Sequence, residues 1–215
     1  MRVLKGIIDI KKSVSYGRKT KMKKVLIATT ILGMVVSSTV LGSTIVMSTD
    51  VPKAIPENNP VGVTSTLVFP SMIIVDVDLI LTITHTCIPD IHIELTSPAG
   101  TTAHLVDAWT EGGIFVGIGC PDNFVNTHFD DDAPTNLLNG VAPYTGHFNI
   151  DWPGNDKMSF FDGQNAGGMW TLFVSDLAAA DTGTLQGWGL EIVPEPCTLI
   201  LLALGGLALR RKRRA

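Results

Sequence analysis

The sequence predicts an all-β domain built as a sandwich of two sheets, and three observations support this. Apolar and polar residues alternate with a period of two in several runs between residues 63 and 192, which places one face of each run in a core. Turn-forming residues separate these runs at short intervals. Helical periodicity is confined to the two termini. Residues 50–193, about 145 in number, suffice for one independent core.

The first half of this region contains four predicted strands. Residues 63–69 are rich in β-branched side chains, and residues 73–83 carry an apolar side chain at every odd position. Residues 91–96 alternate in the same way. A turn at Ser97–Thr101 then leads into residues 102–107, so the two runs predict a hairpin.

The second half begins with a Gly-rich loop and a weakly patterned acidic segment, followed by a short strand near Phe148. Two strong strands close the region. They cover Trp170–Ser175 and Trp188–Ile192, and each buries alternate side chains. The connection between them, 176–183, suits a tight bend at Asp181-Thr182-Gly183.

The N-terminus predicts a secretory signal peptide over residues 1–42. Lys21, Lys23 and Lys24 precede an apolar run over 25–36, and small residues follow as far as a cleavage site at Val40-Leu41-Gly42. The residues before Met22 either extend the basic region or precede the true start, for which Met22 is the candidate. We therefore expect the domain, residues 43–193, to be exported.

The C-terminus, residues 194–215, combines Pro194-Glu195-Pro196 with an apolar run and a basic tail formed by Arg210, Arg211, Lys212, Arg213 and Arg214. A helix over the run would be roughly 20 Å long, which makes it a weak tail anchor, with the basic tail held at the cytoplasmic face. The three-part order resembles the bacterial PEP-CTERM sorting signal. That resemblance implies transient insertion in the inner membrane, processing by an exosortase, and release to the cell surface, the extracellular matrix or the medium.

The closing strands carry a second resemblance. Residues 161–176 read F-x-G-x-x-x-x-G-x-W-x-L-x-V-x-D, and residues 181–192 read D-x-G-x-L-x-x-W-x-L-x-I. These patterns resemble the P/Homo B domain, the accessory β-sandwich of kexin- and furin-like subtilisin proteases. NNPVGVTSTL, LTITHT, IELTSPAGT and NxxFDDDA match in order, whereas Pro89 and Cys87 depart from the usual glycine and aromatic. The resemblance implies a jelly roll of the galactose-binding-domain-like kind.

Charge is strongly sorted along the chain. Lys53 and Lys157 are the only basic residues between residues 25 and 209, whereas nineteen acidic residues fall between Asp50 and Glu195. The processed domain would carry about 17 net negative charges, which repel nucleic acid and anionic lipid. Divalent cations or high salt would neutralise these charges. The alternative is that the charges form an ordinary acidic surface.

No pattern in the sequence predicts a catalytic centre. There is no G-x-S-x-G, and nothing resembles the three subtilisin motifs. The five histidines show no metal-ligand spacing: His85, His92, His104, His128 and His147. His92 and His104 are expected to face each other across the hairpin in a structural role. We therefore predict no catalytic residues and no enzyme activity.

Calcium is the predicted cofactor, with a solvated acidic loop as the alternative. The candidate ligands are Asp90, which precedes the hairpin, and acidic residues expected in one loop-like segment: Asp122, Asp130, Asp131 and Asp132. Carboxylates, with Asn and backbone oxygens, supply the oxygen ligands that calcium requires. Asp176 and Asp181 are expected either to join such a site or to cap turns.

Cysteines and tryptophans give two further expectations. Cys197 lies in the tail, so Cys87 and Cys120 remain to form a disulfide, which would contribute roughly 3 kcal/mol by loop closure if it forms. Trp170 and Trp188 are predicted core residues. The loop residues Trp109 and Trp152 either fold onto the core or stack on sugars of an exopolysaccharide.

Three functions follow from these observations. The first is a non-catalytic extracellular binding or structural module. The second is an accessory subunit of a separate subtilisin-like serine protease, a role that requires a complementary, preferably apolar, face. The third is an unrecognised hydrolase, which no residue pattern supports.

Overall fold

The structure, a computed structural model, describes residues 42–108 and 120–196. Residues 1–41 of the predicted signal peptide, Trp109, Cys197 and the basic tail lie outside them. Leu41–Glu195 form one compact unit. The described residues form ten strands: β1 Thr44–Met47, β2 Lys53–Ile55, β3 Asn59–Phe69, β4 Ile74–His85, β5 Ile91–Thr96, β6 Thr102–Val106, β7 Phe124–Phe129, β8 Gly146–Phe148, β9 Gly168–Asp176 and β10 Gly183–Pro194.

The strands build two sheets that pack face to face, which confirms the predicted all-β sandwich. The larger sheet has the order β1-β10-β4-β7-β8, with β2 also paired to β10. The smaller sheet has the order β3-β9-β5-β6. Neighbours in each sheet are mostly distant in sequence, and this interleaving is that of a jelly roll. Short 3-10 turns at Ile88–Asp90, Leu137–Asn139 and Met158–Phe161 complete the described structure. No helix of the described ranges is long and apolar enough to cross a membrane.

The core lies between the sheets and follows the alternation read from the sequence. In β4, the side chains at positions 77, 79, 81 and 83 are buried against the smaller sheet. Trp170 and Trp188 are fully buried, as predicted. Their indole N–H groups donate to the Ala166 carbonyl at 2.9 Å and to Ser65 Oγ at 2.8 Å, which satisfies the polar atom that each ring takes into the core. Trp152 is partly buried against the same core.

Three strands are missing from the sequence prediction. Strands β1 and β2 contain four and three residues, too few to show an alternating pattern. Strand β7 runs through the segment expected to be a loop, so that expectation is wrong. Asn123 and Asn126 have positive φ values of 59° and 48°, and the β4–β7 register shifts between Leu81 and Ile83. These irregularities break the period-two pattern.

A disulfide joins Cys87, just after β4, to Cys120, with the two Cα atoms 4.5 Å apart. The Ile88 N–H donates to the Pro121 carbonyl at 3.0 Å, so the backbone segments on either side are also in contact. The disulfide therefore fixes the entry into β7 against the end of β4.

Candidate functional site

The outer surface of the larger sheet carries a dense group of carboxylates, which we call the acidic face. Asp76 and Asp78 point outward from β4 because they alternate with the buried Val77 and Leu79. Glu191 on β10 is the register partner of Asp78. The remaining members interact electrostatically with Asp76 or Asp78: Asp130, Asp131, Asp132 and Asp162.

Backbone N–H groups hold two of these carboxylates, Asp130 and Asp131, in the turn after β7. Asp130 Oδ1 accepts the Asp132 N–H at 2.8 Å. Asp131 accepts the N–H groups of Met158 and Ser159 at 3.2 and 2.8 Å, which ties the turn to the 3-10 turn at 158–161. Backbone donors thus offset part of the repulsion between adjacent aspartates.

Asp78 is the least solvated member of the acidic face, with 8% of its surface exposed. Burial, and after it the nearby charges of Asp130, Asp76, Glu191 and Asp131, together raise the pKa of its carboxyl to about 8. Its Oδ1 atom has no hydrogen-bond partner within the described part of the chain. Burial and neighbouring carboxylates raise the pKa values of Asp76 and Asp162 as well.

Two histidines stand beside Asp78. His128 of β7 and His147 of β8 are register partners on adjacent parallel strands, and their rings stack with centroids 4.2 Å apart. His147 Nδ1 lies 3.0 Å from Asp130 Oδ2. Burial, and then the neighbouring His147, lower the pKa of His128. One donor atom each from Asp78, His128 and His147 lies within 4.8 Å of the other two.

A second histidine group occupies the outer surface of the smaller sheet. His92 and His104 face each other across the β5–β6 hairpin with ring centroids 6.0 Å apart, which confirms the expected arrangement. Glu94 Oε1 lies 3.0 Å from a nitrogen of each ring, and Asp107 Oδ1 lies 3.1 Å from the other nitrogen of His92. Both histidines therefore have carboxylate partners.

The predicted calcium ligands do not come together in one place. Asp122 precedes β7 and Asp130 follows it, so a six-residue strand, roughly 20 Å of extended chain, separates the two ends of the set. The expectation of one loop-like segment holding Asp122 and Asp130–132 is wrong for this reason. Asp122 lines a polar pocket with His85 and Asn123. Asp90 is buried and has donor atoms of Cys87 and Asp181 within 4.8 Å.

A buried histidine–aspartate hydrogen bond links β4 to β9. His85 Nε2 lies 3.2 Å from Asp176 Oδ2, and both side chains are fully buried. His85 Nδ1 accepts the Cys87 N–H at 3.1 Å, so the ring proton lies on Nε2 and is donated to Asp176. Asp176 Oδ1 accepts the Ala178 N–H, which is the turn-capping alternative of the two roles considered for it, whereas Asp181 accepts the Thr86 hydroxyl. The pair thus joins the two sheets inside the domain.

Sequence reasoning missed the cluster of Asp78, His128 and His147 because its members are far apart in the sequence. No short spacing joins ligands from three strands. The available signal was that all three side chains project from the outer face of neighbouring strands. This signal can be read only if β7 is recognised as a strand, which the sequence did not allow.

The family model of the proprotein convertase P-domain matches residues 74–192. No curated protein sequence matches the chain. Similar solved structures include the serine protease of Aeromonas sobria, alone and in complex with its chaperone. Both structures are 19% identical in sequence to this chain, and both give a TM-score of 0.42. The match covers 71% of this chain for the protease alone and 70% for the complex. The chain spans 27% of the length of that protease.

Proposed function

The chain belongs to the proprotein convertase P-domain family, and from this premise we propose that it is a non-catalytic module that works outside the cytoplasm. The P-domain is the non-catalytic accessory domain of subtilisin-like proteases. The observation that carries the proposal is the extent of the match, residues 74–192, which spans strands of both sheets. The compact unit is therefore the accessory domain, and no catalytic domain is evident in the matched region.

Export and sorting are the finer part of the proposal. The predicted signal peptide supports export, and a domain with about 17 net negative charges suits a solvated extracellular environment. The disulfide between Cys87 and Cys120 is typical of an oxidising compartment. Strand β10 ends at Pro194, and Glu195 is exposed, so Glu195-Pro196 lies where the chain leaves the β-sandwich. We propose that an exosortase removes the tail there and leaves the domain at the surface or in the polysaccharide matrix.

Replacing Glu195 and Pro196 with alanine should block this processing in the source bacterium. We expect the parent chain outside the inner membrane with the mass of residues 43 to about 196, whereas the variant should stay in the inner-membrane fraction and keep its basic tail. Fractionation and intact mass spectrometry measure both properties. A Glu57→Ala chain is the matched control, because Glu57 is an exposed carboxylate far from the motif in sequence. A parent chain that keeps its basic tail would refute exosortase processing.

A second candidate function is that of an accessory subunit to a separately encoded subtilisin-like protease. The observation that favours it is an exposed apolar pair on the smaller sheet. Val68 of β3 and Met169 of β9 are register partners, and they are 71% and 60% exposed. Exposed apolar side chains supply the apolar part of contact sites between proteins.

Replacing Val68 and Met169 with glutamate should separate the two candidates. If the chain serves a protease, co-production with an exported subtilisin-like protease of the same organism should raise the yield of active enzyme, and the double variant should lose most of that gain. Val141→Glu is the control, because Val141 is 82% exposed in a different loop. Peptidase activity on casein is the readout. Equal yields with the parent, the double variant and no partner would eliminate the second candidate.

Calcium stays a proposal for the acidic face. Support comes from Asp130, Asp131 and Asp132, which the turn after β7 holds together among further carboxylates. Asp90 and Asp122 are not part of that group, since they lie near the other end of β7.

A further inference from the structure

We propose that Asp78, His128 and His147 form a binding site for a divalent transition-metal ion, zinc by preference. The three residues come from the adjacent strands β4, β7 and β8, and all project from the outer surface of the larger sheet. One donor atom from each lies within 4.8 Å of the other two. Small side-chain rotations bring three such atoms to the distances of about 2.0–2.2 Å at which zinc binds nitrogen and oxygen.

The first argument is the state of the polar atoms in the cluster. Asp78 Oδ1 and His128 Nδ1 are buried, and neither has a hydrogen-bond partner in the described part of the chain. Asp78 is more than nine-tenths buried, at 8% exposure. Buried polar atoms without partners are rare, so two of them in one cluster require an explanation. A coordinated cation gives the carboxylate oxygen the partner that the protein does not supply.

The second argument is the orientation of His147. Its Nδ1 lies 3.0 Å from Asp130 Oδ2, which leaves Nε2 as the nitrogen available to a metal ion. Histidine ligands commonly donate the N–H of their second ring nitrogen to a carboxylate in this way, which fixes the tautomer and the ring plane. The stacked rings of His128 and His147, inclined by 27°, hold both ligands on neighbouring strands. Asp130 is therefore a positioning residue of the site.

Charge and donor chemistry together identify the ligand class. Glu191, Asp76, Asp130 and Asp131 surround Asp78 with negative charge. The lysines of the domain are engaged elsewhere, Lys53 with Asp50 and Lys157 with Asp151, so neither neutralises this group. Two imidazoles and one carboxylate favour zinc and its neighbours in the first transition series, whereas calcium prefers oxygen ligands alone. His147 is half-exposed, which gives the ion a route of entry.

The other histidine group supplies the control. His92, Glu94 and His104 also place one donor atom each within 4.8 Å of one another. There, Glu94 Oε1 is already shared by the two rings at 3.0 Å, and Asp107 holds the remaining nitrogen of His92. A metal ion at that group would have to replace contacts that are already made.

The test is zinc binding to the full chain, produced without a histidine tag, solubilised in detergent and freed of metal with a chelator. Titration calorimetry with ZnCl₂ should give one site per chain, and Co²⁺ should give the visible absorption of a low-coordinate site with nitrogen ligands. His147→Gln should weaken zinc binding by at least about 100-fold, since loss of a positioning carboxylate alone usually costs 10–100-fold. His147 is half-exposed, so this variant should fold normally. Asp130→Asn should give the smaller loss, and His104→Gln should bind like the parent.

Two results would overturn the proposal. One is the absence of zinc binding by a parent chain whose circular dichroism spectrum shows a folded β protein. The other is binding that survives His147→Gln or that is lost in His104→Gln, which would place the ion at the other histidine group. Calcium in tenfold excess over zinc should not displace zinc, and displacement would equally contradict a site with two imidazole ligands.

Discussion

Replacing Asp176 with alanine should lower the free energy of unfolding by about 2–3 kcal/mol, because the buried Nε2–H of His85 loses its charged hydrogen-bond acceptor. Asp176 is fully buried and accepts the Nε2 proton of His85 at 3.2 Å. Its other oxygen accepts the Ala178 N–H at the start of the β9–β10 connection. The substitution therefore removes the hydrogen-bond acceptor of a buried imidazole and also the cap of a turn. Urea unfolding followed by tryptophan fluorescence measures the loss.

Asp122→Ala is the matched control for this experiment. Asp122 is an exposed aspartate near the same end of β4, so its removal should change the stability by less than about 0.5 kcal/mol. The double variant His85→Ala with Asp176→Ala should cost less than the sum of the two single losses, because the residues are in contact. Additive losses would mean that the pair is not coupled in the folded chain.

Replacing Asp78 with asparagine should flatten the dependence of stability on pH. The carboxyl has a folded-state pKa of about 8 and an ordinary value of 3.8. Between these values the folded chain holds a proton that the unfolded chain lacks. The stability from this proton is therefore complete below pH 3.8 and is lost as the pH rises through 8. In the parent, Asp78 should lower the stability by about 1.4 kcal/mol for each pH unit in this window.

The variant should match the parent near pH 4 and exceed its stability by several kcal/mol near pH 8, since an amide has the shape of the carboxylic acid and does not ionise. Asp76 and Asp162, whose pKa values are also raised, give the parent and the variant the same residual slope. Urea unfolding between pH 4 and pH 9, with chelator present, provides the measurement. Asp156→Asn, a control outside the acidic face, should keep the slope of the parent. A parent stability that rises from pH 5 to pH 8 would contradict the buried, protonated state of Asp78.

The sequence predicted the parts of the fold in which local pattern and burial agree. Strands β4, β9 and β10 each present one face to the core, and their alternation was visible in the sequence over residues 73–83, 170–175 and 188–192. Strand β7 was missed because Asn126, with a positive φ, lies within it and Asn123, also with a positive φ, directly precedes it. Strands β1 and β2 are edge segments whose partner, β10, lies more than 120 residues further along the chain. Their pairing is decided by tertiary contact, which local propensity does not encode.

The candidate site was less predictable than the fold for a related reason. Asp78 was visible as a polar residue in an apolar strand, but its burial depends on what packs around it. His128 and His147 are nineteen positions apart and become neighbours only through the parallel pairing of β7 and β8. Parallel pairing requires a connection that crosses the sheet, and the sequence gives no register for it.

The last strand to leave the ribosome occupies an interior position in the larger sheet. Strand β10 pairs with β1, β2 and β4, and β1 is its partner from the other end of the domain. Until residues near 194 are available, β1 and β2 lack their partner and one edge of β4 is open. Contacts between residues so distant in sequence form slowly. A nascent chain that has not yet released β10 therefore cannot complete the larger sheet, and three earlier strands wait for the same late partner.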